Sequence, residues 1–205
     1  SKVSSVSQSS GVGSAALFSS NAGNQYASAF DSTNNKVIVA YRDEGNSNTG
    51  YCTVGSLSGS TISFGTPVQF TSNEVYSSGL MGCEFDPSTG KVIIAYRDST
   101  NSGYGTAIVG SISGTTVSFG SAVVFNSGNI EYPLSTFDTT NNKIIIIYRD
   151  NSNNGYGTAI VGSVSGSSLS FGSAQTIGNT STWTNPNSVV FDSSNNKVVV
   201  VYRND

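Results

Sequence analysis

The side chains that could carry out chemistry are few, because the chain contains no histidine. Serine and cysteine nucleophiles of the Ser-His-Asp and Cys-His kinds need an imidazole base, so both arrangements are excluded. Two acids outside the repeated positions, Glu74 and Glu131, are the candidates for the carboxylate pair of glycoside hydrolysis. No pattern around either acid indicates burial or pairing, so the sequence predicts a protein that is not an enzyme.

The arginines offer a second kind of chemistry, anion recognition. All four end a strand-like run as Tyr-Arg-Asp or Tyr-Arg-Asn; they are Arg42, Arg97, Arg149 and Arg203. A guanidinium inside a protein must be hydrogen-bonded, so the favoured interpretation is structural. Each arginine would pair with a neighbouring repeat, and the aspartates that follow (Asp43, Asp98 and Asp150) would share that role. The alternative is a ring of guanidinium groups that binds an anion or a sugar carboxylate.

Aromatic residues between the strand-like runs suggest a binding surface. They are Trp183, the single tryptophan, and Tyr76, Tyr132 and Tyr26, flanked by Asn, Ser and Thr. Aromatic faces with such hydrogen-bonding neighbours suit sugar rings, although they also suit packing between repeats. We predict these four residues as ligand contacts, with packing as the alternative.

The sequence predicts neither a metal nor another cofactor. The loops at 98–103 and 150–155 are rich in oxygen ligands, but they lack the alternating carboxylates and the final glutamate of a calcium loop. Two isolated cysteines, Cys52 and Cys83, do not make a zinc site. A disulfide would need their Cα atoms within about 7 Å, and we expect two buried free thiols instead.

One phrase, which begins with Phe-Asp and ends with Tyr-Arg, recurs four times, at 30–43, 85–98, 137–150 and 191–204. Each copy marks a unit of about fifty residues that reads as four short strands, a length typical of a propeller blade. Apolar and polar residues do not alternate along the second strand, which indicates that both of its faces are buried. The sequence therefore predicts an all-β fold, a four-bladed β-propeller with four antiparallel strands per blade.

The two ends of the chain supply complementary halves of a blade. Residues 3–18 match third and fourth strands, whereas residues 188–202 match first and second strands. Pairing of these halves would close one domain, 1–205, and protect strand edges. The alternatives are a segment of a larger propeller, or chains that pair into a bigger ring. The first residue is Ser1, so we expect either processing or a longer parent polypeptide.

Charge and hydropathy argue against two classes of partner, nucleic acids and membranes. The net charge is −3, and no basic cluster lies outside the repeated phrase, which argues against nucleic acid and anionic membranes. No apolar run approaches about 18 residues, so we expect no membrane insertion.

The repeated runs resemble a known group of proteins. Phe-Asp-x-x-Asn-Asn-Lys-Val-Ile-Val-Ala-Tyr-Arg-Asp and the run that begins at Tyr104 are similar to propeller repeats of virion structural and tail-fibre-like proteins of marine bacteriophages. The resemblance covers almost the whole chain, but it rests on scaffold residues and transfers no site residue. It implies an extracellular or virion-associated module for adhesion or assembly.

The leading hypothesis is a noncatalytic module that binds a cell-surface glycan or a neighbouring structural protein. A secreted carbohydrate-binding lectin is the main alternative, and a glycan-active enzyme ranks behind it.

Overall fold

The structure is a computed structural model, and it describes residues 2–3, 6–7, 11–77, 79–177 and 185–203. Nearly all regular structure is β-strand. The strands are β1 (Lys2–Val3), β2 (Val6–Ser7), β3 (Gly11–Val12), β4 (Ala16–Leu17), β5 (Gly23–Asp31), β6 (Lys36–Asp43), β7 (Thr49–Ser58), β8 (Thr61–Phe64), β9 (Val68–Glu74), β10 (Gly82–Asp86), β11 (Lys91–Asp98), β12 (Tyr104–Ser113), β13 (Thr116–Phe119), β14 (Val123–Asp138), β15 (Lys143–Asp150), β16 (Tyr156–Ser165), β17 (Ser168–Phe171), β18 (Gln175–Thr176), β19 (Asn185–Asp192) and β20 (Lys197–Arg203).

Three units of the chain repeat one antiparallel order. In sheet 1, β5 pairs with β6, β6 with β7, and β7 with both β8 and β9. Sheet 2 repeats this order with β10, β11, β12, β13 and the first half of β14. Sheet 3 repeats it with the second half of β14, then β15, β16, β17 and β18. Because β14 runs through both, sheets 2 and 3 are hydrogen-bonded into one continuous sheet.

The core lies in layers between successive sheets. The first strands of the units pack side by side, β5 on β10, β10 on β14 and β14 on β19. Alternate residues of one strand therefore belong to different layers, so that Ile94 and Tyr96 face sheet 1 while Ile93 and Ala95 face sheet 3. A strand between two sheets buries both faces, and the predicted all-β fold and doubly buried second strands are confirmed for β6, β11 and β15.

The predicted fourth strand is interrupted. In sheet 2 the strand ends at Phe119 and restarts at Val123, with Gly120 in the gap. A Cβ atom at Gly120 would lie 2.1 Å from the backbone oxygen of Ser167 in the next unit, and Gly65 meets Thr115 in the same way. The break thus lets adjacent units approach at the outer edge, where no side chain fits.

The last strand departs from the prediction of two buried faces. β19 and β20 form sheet 4, and each pairs only with the other among the described residues. Val199 and Val201 on β20 are 48% and 57% exposed, whereas the equivalent Ile145 and Ile147 of sheet 3 are buried. No described sheet covers the outer face of β20, which explains the exposure.

The predicted pairing between the two ends of the chain is not formed in the described residues. Lys2–Val3 pairs with Ala16–Leu17, and Val6–Ser7 pairs with Gly11–Val12. These pairings match those of the third strand with the fourth in sheet 2, where Thr106 pairs with Val124 and Gly110 with Phe119.

Candidate ligand-binding rim

The rim is one edge of the sheets, where the connections between second and third strands meet those between fourth and first strands. Backbone hydrogen bonds join the two sets of loops, from Val75 to Asn48 and from Ile130 to Gly103, both at 3.0 Å. These bonds place both sets of loops at the same edge of the sheets.

The aspartates of the repeated phrase organise the rim. Asp43 and Asp150 cap three-residue 3-10 turns, Glu44–Asn46 and Asn151–Asn153, and Asp98 accepts a backbone hydrogen bond from Asn101. All three aspartates are buried. Such local side-chain-to-backbone bonds favour turns, which is why the chain reverses immediately after each strand.

Each of these aspartates also accepts a hydrogen bond from an asparagine of a neighbouring loop. Its side-chain Nδ2 donates to Oδ2 of the carboxylate, in the pairs Asn21–Asp43 (3.1 Å), Asn73–Asp98 (2.7 Å) and Asn126–Asp150 (2.9 Å). The donor belongs to the fourth-to-first connection that enters the unit. These bonds fasten the rim loops, and the sequence analysis missed them because nothing marks these asparagines among many others.

Arg42 is buried and has many acceptors. Its Nε donates to the backbone oxygen of Val75 at 2.8 Å, in the next unit, as the structural interpretation expected. Its Nη1 lies 3.3 Å from both Asn24 Oδ1 and Glu44 Oε1, and its Nη2 lies 3.5 Å from Glu74 Oε1. Both glutamates are well exposed, so solvent screens the two ion pairs.

Arg149 is buried and has one close carboxylate. Its Nη1 donates to Glu131 Oε2 at 2.5 Å, and the glutamate is 24% exposed. Glu131 and Arg149 are direct partners in the register of β14 and β15. Glu74 and Glu131 therefore pair with different arginines. The structure does not bring them together as the two facing carboxylates of a glycosidase site.

Arg97 differs from Arg42 and Arg149 because it forms no ion pair with a described carboxylate. It is 8% exposed, and its Nη2 donates to Asn129 Oδ1 at 2.7 Å. Its Nε and Nη1 are buried and find no acceptor among the described residues. The guanidinium carbon lies 3.4 Å from the centroid of the Tyr76 ring, a cation–π contact. The fourth arginine of the phrase, Arg203, is exposed on sheet 4.

The structure places three of the four predicted aromatic contacts at the rim. Tyr76 lies on Arg97, and Tyr132 lies beside Gly79, where an added Cβ would be 3.5 Å from the Tyr132 nitrogen. Tyr26 is 48% exposed, and its hydroxyl donates to the backbone oxygen of Gly23. Trp183 lies outside the described residues.

Glu84, a titratable residue that was not selected from the sequence, lies below the rim. Glu84 on β10 is mostly buried, and burial raises the pKa of its carboxyl to about 7, although the Ser135 hydroxyl beside it lowers the pKa in part. The corresponding residues of the other phrases are Ala29, Thr136 and Val190, so the absence of repetition was the available signal.

The cysteines behave as predicted. Cys52 and Cys83 are buried free thiols of one core layer. Burial raises the pKa of Cys52 to about 12 and that of Cys83 well above its usual value. Among the described residues, no group of His, Cys, Asp and Glu side chains could hold a metal ion, and no helix is long and apolar enough to cross a membrane.

Comparison with known proteins adds no assignment: no family model matches the chain, and no curated protein matches it. The arguments for function therefore come from the rim itself.

Proposed function

We propose that this chain is a noncatalytic module for adhesion or assembly, extracellular or displayed on a virion, and that its rim binds a cell-surface glycan. The observation that supports this most directly is the arrangement of Tyr76, Arg97 and Tyr132. The Tyr76 ring stacks on the Arg97 guanidinium, and Tyr132 lies at the same rim beside Gly79. Sugar rings stack on aromatic faces while polar groups fix their hydroxyls, so this combination suits a saccharide.

The geometry favours binding over catalysis. Retaining and inverting glycosidases need two carboxyl groups that flank one bond. Glu74 and Glu131 instead face Arg42 and Arg149 in different units. Arginine pairing suits fixed scaffold positions better than proton transfer to a substrate.

Glycan-array binding tests the proposed function. We expect the wild-type protein to bind a restricted set of saccharides, and we expect Tyr76→Ala to weaken that binding about tenfold or more, as loss of an aromatic hot spot does. Phe30→Ala is the matched control, because Phe30 is an exposed aromatic residue next to the Asp31 turn at the opposite edge of the sheets. Equal binding by all three proteins would remove Tyr76 from the site.

We also propose that the four units are blades of a four-bladed β-propeller, closed when the N-terminal strands complete the blade begun by β19 and β20. Two open faces support this. Val190, Val199 and Val201 are exposed at one end of the row of sheets. At the other end, a cleft of about 520 Å³ is lined by Tyr26, Ala27, Ser28, Val37 and Val39, with Lys2 and Phe18. Closure would bury both.

Hydrogen exchange tests the closure. The amides of β20 should be protected in the full chain and should exchange faster when residues 1–12 are deleted, because the deletion removes their pairing partners. If β20 exchanges equally fast in both chains, the ring is open. The apolar ends would then favour the rival function, attachment to a neighbouring structural protein.

A further inference from the structure

The environment of Arg97 points to a specific class of ligand. A buried guanidinium is costly unless its donors are satisfied and its charge is compensated. Arg97 is 8% exposed, yet it makes one hydrogen bond, to the neutral side chain of Asn129, and its Nε and Nη1 find no acceptor among the described residues. Two hydrogen-bond donors of Arg97 could therefore bind an acceptor from a ligand.

The other units show which acceptors are missing. Asn24 stands opposite Arg42 in the strand register, and Glu131 stands opposite Arg149. In the second unit, the bridge between Val75 and Asp98 and the hydrogen bond from Tyr76 N to Arg97 O place Tyr76 opposite Arg97. The second unit thus has an aromatic ring where the first has an amide and the third has a carboxylate.

Two positions that carry glutamate in the first unit carry a neutral residue in the second unit. Asn129 contacts Arg97 from the fourth strand of the same unit, as Glu74 contacts Arg42. Ser99 follows Arg97 by two residues, as Glu44 follows Arg42, and its hydroxyl is buried without a hydrogen-bond partner in the described part of the chain. Among the described residues, Arg42 therefore pairs with two carboxylates and Arg149 with that of Glu131, whereas Arg97 pairs with none.

The surroundings leave access to this charge. On the neighbouring loop, a Cβ atom at Gly79 would have its nearest contacts with Tyr132, at 3.5 Å or more, so there is room for a group beside Tyr132. Asn129, the acceptor of the guanidinium, is exposed, so Arg97 lies directly beneath the surface. Tyr76 covers one face of the guanidinium and holds it in place.

We propose that Arg97, with Asn129 and Tyr76, binds the carboxylate of an acidic sugar, and that Tyr132 packs against its ring. This rests on the proposed function of the rim as a glycan-binding surface. The ligand carboxylate supplies the charge that Glu131 supplies to Arg149 from within the chain. A hydrogen bond between guanidinium and carboxylate is charge-assisted, and it is stronger than a bond to a neutral hydroxyl.

Titration calorimetry with a matched pair of probes tests the proposal. The first probe is tetragalacturonic acid, and the second is the same oligosaccharide with its carboxyls methyl-esterified. We expect the wild-type protein to prefer the acid about tenfold or more, which is the contribution of one hydrogen bond to a charged group. Arg97→Met should abolish the preference for the acid over the ester.

A second variant keeps the arginine and supplies the missing charge. Asn129→Asp is isosteric and places a carboxylate on Arg97, so it should raise the melting temperature and lower the affinity for the acidic probe about tenfold. Ser127→Asp is the control, because it adds the same charge two residues away on the exposed surface of β14. Equal effects of the two variants would overturn the proposal, since general repulsion would then explain them.

The remaining outcomes separate this inference from the proposed function. Binding of both probes with equal affinity would leave glycan binding intact and refute the carboxylate site. Absence of binding to any saccharide of an array would refute both. Tighter binding of a poly-glutamate peptide than of the acidic sugar would also refute the inference and assign Arg97 to an acidic protein partner.

Discussion

The ring of Phe18 lies 5.2 Å from the ring of Tyr41, at an interplanar angle of 69°. Phe70 stands in the same relationship to Tyr96, at 5.2 Å, and Phe125 to Tyr148, at 5.3 Å. In the two later pairs, the phenylalanine lies in the fourth strand of one unit and packs on the second strand of the next. Phe18 therefore occupies the place of a fourth strand that precedes sheet 1.

Phe18→Ala should destabilise the protein by about 3–5 kcal/mol, because it removes a buried ring from the layer that covers Tyr41. Chemical denaturation measures this free energy of unfolding. The neighbouring Leu17 is 57% exposed, so Leu17→Ala should cost far less. Equal losses for the two variants would mean that Phe18 does not pack as it does in the structure.

The buried arginines should differ in their contribution to stability. Arg42→Ala and Arg149→Ala each leave polar partners unsatisfied, and we expect each to lower the free energy of unfolding by about 1–3 kcal/mol. Arg97→Ala should cost less than either, because it removes one hydrogen bond and an uncompensated buried charge. Denaturant titration of the three variants gives the order, and a larger loss at Arg97 would contradict it.

The asparagine that fastens Asp98 should stabilise the rim. Asn73→Ala removes the 2.7 Å hydrogen bond to a buried carboxylate, and we expect a loss of about 1–3 kcal/mol. Ser72→Ala alters the adjacent exposed position and should change little. Thermal denaturation compares the two, and a stable Asn73→Ala protein would show that solvent replaces the amide.

Glu84 should make stability depend on pH. Its pKa in the folded protein is about 7, above the usual 4.5, so the folded state binds a proton that the unfolded state releases between these values. Stability should therefore fall as pH rises from about 4.5 to about 7 and stay constant above that range. Glu84→Gln should remove this fall and stabilise the protein at pH 8 by on the order of 1–3 kcal/mol.

Unfolding at pH 4, 6 and 8 measures this effect. Glu44→Gln is the matched control, because Glu44 is an exposed glutamate of a rim turn. A Glu84→Gln protein whose stability follows the wild-type pH profile would show that another group is responsible.

Strand positions were largely predictable because their signals are local. The run from Lys91 to Tyr96 carries its own β-branched composition, and the Asp-initiated turns carry their own hydrogen-bonding side chains. Tyr76 and Tyr132 could be selected as ligand contacts because they lie between copies of the repeated phrase. The partners of each arginine could not be predicted, because Val75 and Asn129 lie more than thirty residues from Arg42 and Arg97.

By itself the sequence determined that this protein is a repeated all-β chain, since alternation, burial of whole strands and turn chemistry are encoded within each unit. Only the tertiary structure decided that Arg42 and Arg149 are neutralised while Arg97 is not. That difference depends on which loop side chains meet each guanidinium when neighbouring units pack, and equal phrases such as Tyr-Arg-Asp cannot record it. The same holds for β20, whose exposed face depends on the sheet that would lie next to it and not on its own residues.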